Sequence, residues 1–244
     1  MTLSELPVEK GFRLRGEQVT RLETFVDAAF AFAVTLLVVS FDAMPTSFAE
    51  LYDALRRLPA FVAGFAIIAM FWCAHNRFSR RFGLEDGWIM FLSLALVAAT
   101  LFYVYPLRMV MSAAMGFFTG GWAPSEVDVR SFLEYRLVFI IYGIGFAVLA
   151  GLIASMNMHA LRKADQLQLD AAERLVTQAE IAAQLALMAV AGLSIVIAAT
   201  IPPGSDWLQT LPGLAYSVLG IVMPWLGIHY GRRIRALSPR AGAA

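Results

Sequence analysis

Five stretches of this chain, 58–74, 88–107, 137–156, 181–201 and 207–228, carry no charged residue. At ~1.5 Å rise per helical residue, about 20 such residues cross a ~30 Å hydrocarbon core, and each run approaches or exceeds that length. A sixth run, 22–41, is largely apolar and carries only two charges, Glu23 and Asp27, near its start. A soluble fold of 244 residues could bury one or two apolar helices, but not six. The composition agrees: 15% of residues are charged against roughly 25% in soluble domains, and the mean hydropathy is +0.69. The expected fold is an all-α membrane protein with six transmembrane helices. The expected organisation is an N-terminal segment 1–20, a membrane domain 21–237 and a tail 238–244.

Several function classes drop out early. A net charge of +1 offers no concentrated basic face for nucleic acid. The lone Cys73 permits neither an intrachain disulfide nor a CxxC site. His159 and His229 have no ligand spacing between them, and no P-loop, HExxH or GxSxG pattern occurs, so no enzyme is expected. The first twenty residues are mixed in charge and read as no signal-peptide leader.

Charge also orients the chain. Of the 19 Lys and Arg, only Arg56, Arg57, Arg108, Arg130 and Arg136 fall on one side of the six-span scheme; the other 14 lie in the N-terminus, the second and fourth loops and the C-terminus. Cationic loops stay cytoplasmic, so both termini are placed there, in a multi-pass protein of the cell membrane. Ser47 with Glu50 has capping-box spacing, and Phe48, Leu51, Tyr52 and Leu55 share a face, which predicts a short amphipathic helix at the outer surface. The segment LRKADQLQLDAAERLVTQAE extends the fourth and fifth spans beyond the bilayer. Pro106 and Pro224 fall inside spans, and Gly143, Gly145 and Gly151 permit close helix approach. Arg108 and Arg136, near outer helix ends, are expected to snorkel or to pair with Glu134.

The first span poses the functional question. Asp27 lies six residues, or ~9 Å, past Arg21, and so partly within the hydrocarbon. A lone carboxylate there costs a few kcal/mol (~2.5–3.5 on insertion scales) and needs a partner. Trp72, His75 and Asn76 share a face at the same end of the second span, and each carries an N–H donor. The spacing predicts a polar clamp of Arg21, Asp27, Trp72, His75 and Asn76, which serves either to pin two helices or to gate. Beyond Asp27, Phe32, Leu36 and Val39 follow i, i+4, i+7 spacing with Thr35 at the edge of the stripe. By spacing alone, that stripe would serve for packing against neighbouring helices.

Arg21-x-x-x-Phe25-Val26-Asp27, with Thr35-Leu36-Leu37-Val38 trailing it, resembles the RxxxFSD signature and following TLLV of the transmembrane protein 175 family of bacterial and lysosomal potassium channels. Trp72-x-x-His75-Asn76 and Tyr105-Pro106 continue the resemblance, which runs from Arg21 to about Leu237. The resemblance implies a homotetramer in the lipid bilayer whose first helices surround the axis, with K⁺ as permeant ion and no cofactor. It assigns Phe32, Leu36 and Val39 to an apolar constriction and Thr35 to selectivity. Val26 stands where the family has Ser, and Phe32 where such channels usually place Ile or Leu. The alternatives are a proton-linked secondary transporter titrating Asp27 and His75, or a non-conducting membrane scaffold of the same fold.

Overall fold

A computed structural model of the chain describes residues 6–9, 11–38, 46–127, 131–202 and 208–237. The chain opens with a small antiparallel hairpin, β1 (Val8–Glu9) and β2 (Phe12–Arg13), turned at Gly11 with φ +79°. Among the described residues eight α-helices follow: α1 (Arg21–Val38), α2 (Phe48–Arg56), α3 (Leu58–Phe82), α4 (Gly87–Phe118), α5 (Phe132–Arg162), α6 (Ala171–Thr200), α7 (Leu211–Leu214) and α8 (Leu219–Leu237).

Local chemistry sets the helix limits. The Ser47 side chain accepts from Glu50 N and starts α2, the expected amphipathic helix. Pro59 stands in the first turn of α3, where its missing N–H costs nothing. Gly83, at φ +57°, closes α3 with a bond to Ser79 O, and a Cβ there would lie 2.8 Å from Arg15 O. Asp86 caps α4 and Ser131 caps α5, while Asp170 and Glu173 form a reciprocal box at the start of α6.

Five helical segments among the described residues are long and apolar enough to cross a membrane: α3, α4, α5, α6 and the stretch Leu208–Leu237. The last is not one helix. Short 3₁₀ segments flank α7, in a stretch that contains Pro212 and Gly213. The apolar run α1 ends its described part at Val38, and Arg21, Glu23 and Asp27 lie within it.

α5 packs between α4 and α6. Gly145 lets Tyr103 of α4 approach so closely that a Cβ would fall 2.5 Å from its ring, and Gly143 does the same for Ile195 of α6 at 2.6 Å. Phe71, Tyr103, Tyr142, Phe146 and Tyr216 form a continuous aromatic core around it. α8, by contrast, buries no residue, and Ile221, Trp225 and Ile228 are exposed. A helix this apolar and this uncovered needs lipid or another chain on its surface.

Candidate functional site

α1 is fixed in rotation by its packing. Val26, Phe30, Ala33 and Leu37 are buried, and α1 packs against α3 and α4. Opposite them runs an uncovered face of Phe25, Ala28, Ala31, Phe32, Thr35 and Val38, with Phe32 55% exposed. Residues seven apart return to nearly the same side of a helix, so Phe25 lies below Phe32 and Ala28 below Thr35. Leu36 is half-buried against the core, which leaves Thr35, rather than Leu36, near the middle of the uncovered face. The buried phase of α1 causes that shift relative to the expected stripe. Val39 lies outside the described residues.

Thr35 is not idle on this face. Its hydroxyl donates to Ala31 O at 3.0 Å, so the proton is held by the helix and the oxygen lone pairs remain as acceptors. Val26 is fully buried, so the methyls that replace the family's Ser hydroxyl pack into the core.

The residues of the expected clamp separate into distinct contacts. Trp72 Nε1 donates to Asp27 Oδ1 at 2.7 Å, a charge-assisted bond between α1 and α3. His75 is buried, and its Nε2 sits 3.1 Å from Ser93 Oγ of α4. No hydrogen bond or ion pair among the described residues brings Arg21 or Asn76 to Asp27; Arg21 is exposed and Asn76 half-buried. One polar rung therefore joins α1 to α3, and a second joins α3 to α4.

Two further polar assemblies brace this end of the bundle. Asp86 takes His159 Nε2 at 2.7 Å and Lys163 Nζ at 2.8 Å, joining the start of α4 to the end of α5. Burial alone would raise the Asp86 carboxyl; the bonds from Lys163, His159 and Ile89 N outweigh it and hold the group well below its ordinary 3.8. Glu173 of α6, fully buried, binds both Arg13 and Arg15. Hydrogen bonding to Glu173 raises Arg13 above its usual range. The sequence reading missed this pair, because only folding sets residues 160 positions apart side by side. Its legible trace was the D-x-x-E capping box at Asp170–Glu173.

At the opposite end, Arg57 and Arg108 converge on Glu126 at 3.4 and 2.6 Å. Arg136 donates to the carbonyls of Ala198 and Ala199. Arg108 thus meets Glu126, and Arg136 the carbonyls at the end of α6. Among the described residues no group of His, Cys, Asp and Glu is placed to hold a metal ion.

A helical bundle with five such spans, polar rungs at one end and one uncovered face on its first helix is a polytopic membrane protein. Residues 21–106 match the model of the family described as endosomal/lysosomal potassium channel TMEM175. A potassium channel of Marivirga tractuosa is 31% identical over 231 residues, covering 93% of each chain. The chain belongs to the TMEM175 family. Among solved structures it is similar to a variant of the potassium channel MtTMEM175 in complex with a Nanobody-MBP fusion protein (TM-score 0.76, 29% identity, 93% of this chain and 98% of that one). The lysosomal potassium-selective channel TMEM175 homologue from Chamaesiphon minutus shares the fold (TM-score 0.53, 18% identity, 88% and 96% covered).

Proposed function

We propose that the chain forms a homotetrameric, K⁺-preferring passive cation channel of the cell membrane, with six spans and both termini cytoplasmic. In this reading the uncovered face of α1 turns to the four-fold axis. Phe32 on that face, with Leu36 at its half-buried edge and Val39 further along, forms the apolar constriction, and Thr35 supplies oxygens beside Phe32. The observation that carries the reading is that face itself, apolar from Phe25 to Val38 apart from the Thr35 hydroxyl, with Arg21 and Thr24 at its start, and left open by every other described element of the chain. Membership of the family and likeness to proteins named as potassium channels support the same assignment.

The physics follows from the residues. A narrow apolar ring sheds water, so a cation crosses only when the ring widens enough to admit a partial hydration shell. K⁺ is less tightly hydrated than Na⁺ and loses part of that shell more readily. The Thr35 lone pairs, with their proton committed to Ala31 O, offer partial replacement for lost water. The bond of Asp27 to Trp72 adds to the packing that holds the rotation of α1, on which the placement of these residues depends.

The carrier reading needs Asp27 and His75 as a proton-exchanging pair. The ring nitrogen of His75 is instead engaged with Ser93, which favours the passive channel. Ion efflux from liposomes loaded with K⁺ or Na⁺ tests the proposal. Selective K⁺ efflux that needs no proton gradient is expected. Efflux that depends on such a gradient would install the carrier, and no efflux would install the scaffold.

A further inference from the structure

We propose that residues 11–16 form a strap that sets the position of the inner end of α1, with Glu173 as its buried anchor. This inference rests on the pore reading for its consequence, but not for its geometry.

The strap is built into the bundle rather than laid on it. Glu173 Oε1 accepts from Arg13 N at 2.9 Å, Arg13 Nε at 3.0 Å and Arg15 Nη1 at 3.2 Å. Its Oε2 accepts from Arg13 Nη2 at 2.7 Å, Arg15 Nη2 at 2.9 Å and Asp170 N at 3.1 Å. All of these donors except Asp170 N belong to the strap. Phe12 is buried edge-on against Phe82 of α3, and the guanidinium groups of Arg15 and Arg81 lie 5.7 and 5.1 Å from its ring centroid. Backbone bonds from Arg15 N to Arg81 O and from Gly16 N to Arg80 O fasten the strap to the last turn of α3. A Cβ on Gly16 would stand 2.3 Å from Ser79 O, so only glycine allows that approach.

The linkage to α1 is short. Glu17 to Thr20 connect the strap to a first turn fixed by reciprocal bonds between Thr20 and Glu23. Four residues reach at most about 14 Å when extended, so a docked strap keeps the inner end of α1 close to α3. The strap lies on α3 and α6, and α1 packs its buried face on α3 and α4, so the tether pulls α1 back into its own bundle and away from its uncovered face. The released state is also attainable. Glu173, Arg13 and Arg15 would regain water when the strap lifts, so the charges are not stranded as they would be in a sealed core. Docked and released straps are thus two discrete arrangements of one element. In the released arrangement the first turns of α1 lean toward the axis and narrow the inner mouth.

The test compares the wild-type full chain with Gly16→Ala, Phe12→Ala and Glu173→Gln in liposomes, by hydrogen exchange and K⁺ efflux. Gly16→Ala and Phe12→Ala leave no charge unpaired, which guards against mere misfolding of Glu173→Gln. Where the amides of residues 12–16 exchange faster, exchange at residues 21–27 should rise at least tenfold, α5 should be unchanged and efflux should fall severalfold. Phe12→Tyr, which keeps the ring, should restore both readouts. Faster strap exchange with unchanged exchange in α1 or unchanged efflux overturns the proposal, as does a failure of all three variants to release the strap. A wild type without K⁺ efflux removes the pore reading, and the exchange measurement still decides the strap.

Discussion

One polar bond, from Trp72 to Asp27, adds to the apolar packing that places α1. Replacing Trp72 with Phe keeps the ring but removes the donor to Asp27. Hydrogen bonds between membrane helices are worth about 0.6 kcal/mol on average and at most ~1.7, so W72F should lower thermal stability in detergent by a few degrees or less. Its larger expected effect is on K⁺ efflux, because α1 keeps its apolar packing on α3 and α4 but loses the polar contact that adds to it near its first turns. Phe32→Leu tests the constriction. Four phenyl rings close an axis more fully than four isobutyl groups, so F32L should raise single-channel current in planar bilayers; unchanged or lower current would refute that role. The sequence made Asp27 and Trp72 legible because a carboxylate below the interface needs a donor at its own depth. It did not reveal that His75 faces Ser93, since one helix face can meet either neighbour, and packing decides which.

Among elements, the helices themselves were largely legible, because uncharged runs of membrane length allow little else. Their ends came from capping residues such as Ser47, Asp86 and Asp170. The broken last span was harder to see, since a proline near a helix start and a proline that breaks one look alike in a single sequence. The glycines of α5 were visible as packing cues, but their partners were not. Gly145→Ala pushes a methyl against the buried Tyr103 ring, and overpacking of this kind costs about 1–3 kcal/mol. A clear fall in melting temperature is expected for G145A. Gly151→Ala meets only Met188, at ordinary contact distance, and should be near neutral in the same assay.

For the whole molecule, the polar assemblies lie at the ends of the bundle and make its stability sensitive to acid. The Asp86 carboxyl is held below 3.8 when folded, so its contribution is present above the unfolded value and is lost as pH falls from about 4 through the folded value. Asp86→Asn should lower the melting temperature at neutral pH and shrink the loss of stability below pH ~4. An unaltered acid limb would show that the bonds of His159 and Lys163 to Asp86 matter little. The bare surface of α8 calls for lipid or a second chain, and the proposed function supplies one in a four-fold assembly. The axis of that assembly is the central claim, and silver accessibility reaches it directly. Ag⁺ is close to K⁺ in size and binds thiolates tightly. In a Cys73→Ala background, single cysteines are placed at Ala28 and Thr35 on the uncovered face, at buried Ala33, and at exposed Phe102 of α4. The account predicts that Ag⁺ blocks K⁺ efflux when the cysteine is at position 28 or 35, and leaves it intact at 33 and 102. Block at 102 with none at 35 would place the ion path elsewhere and contradict it.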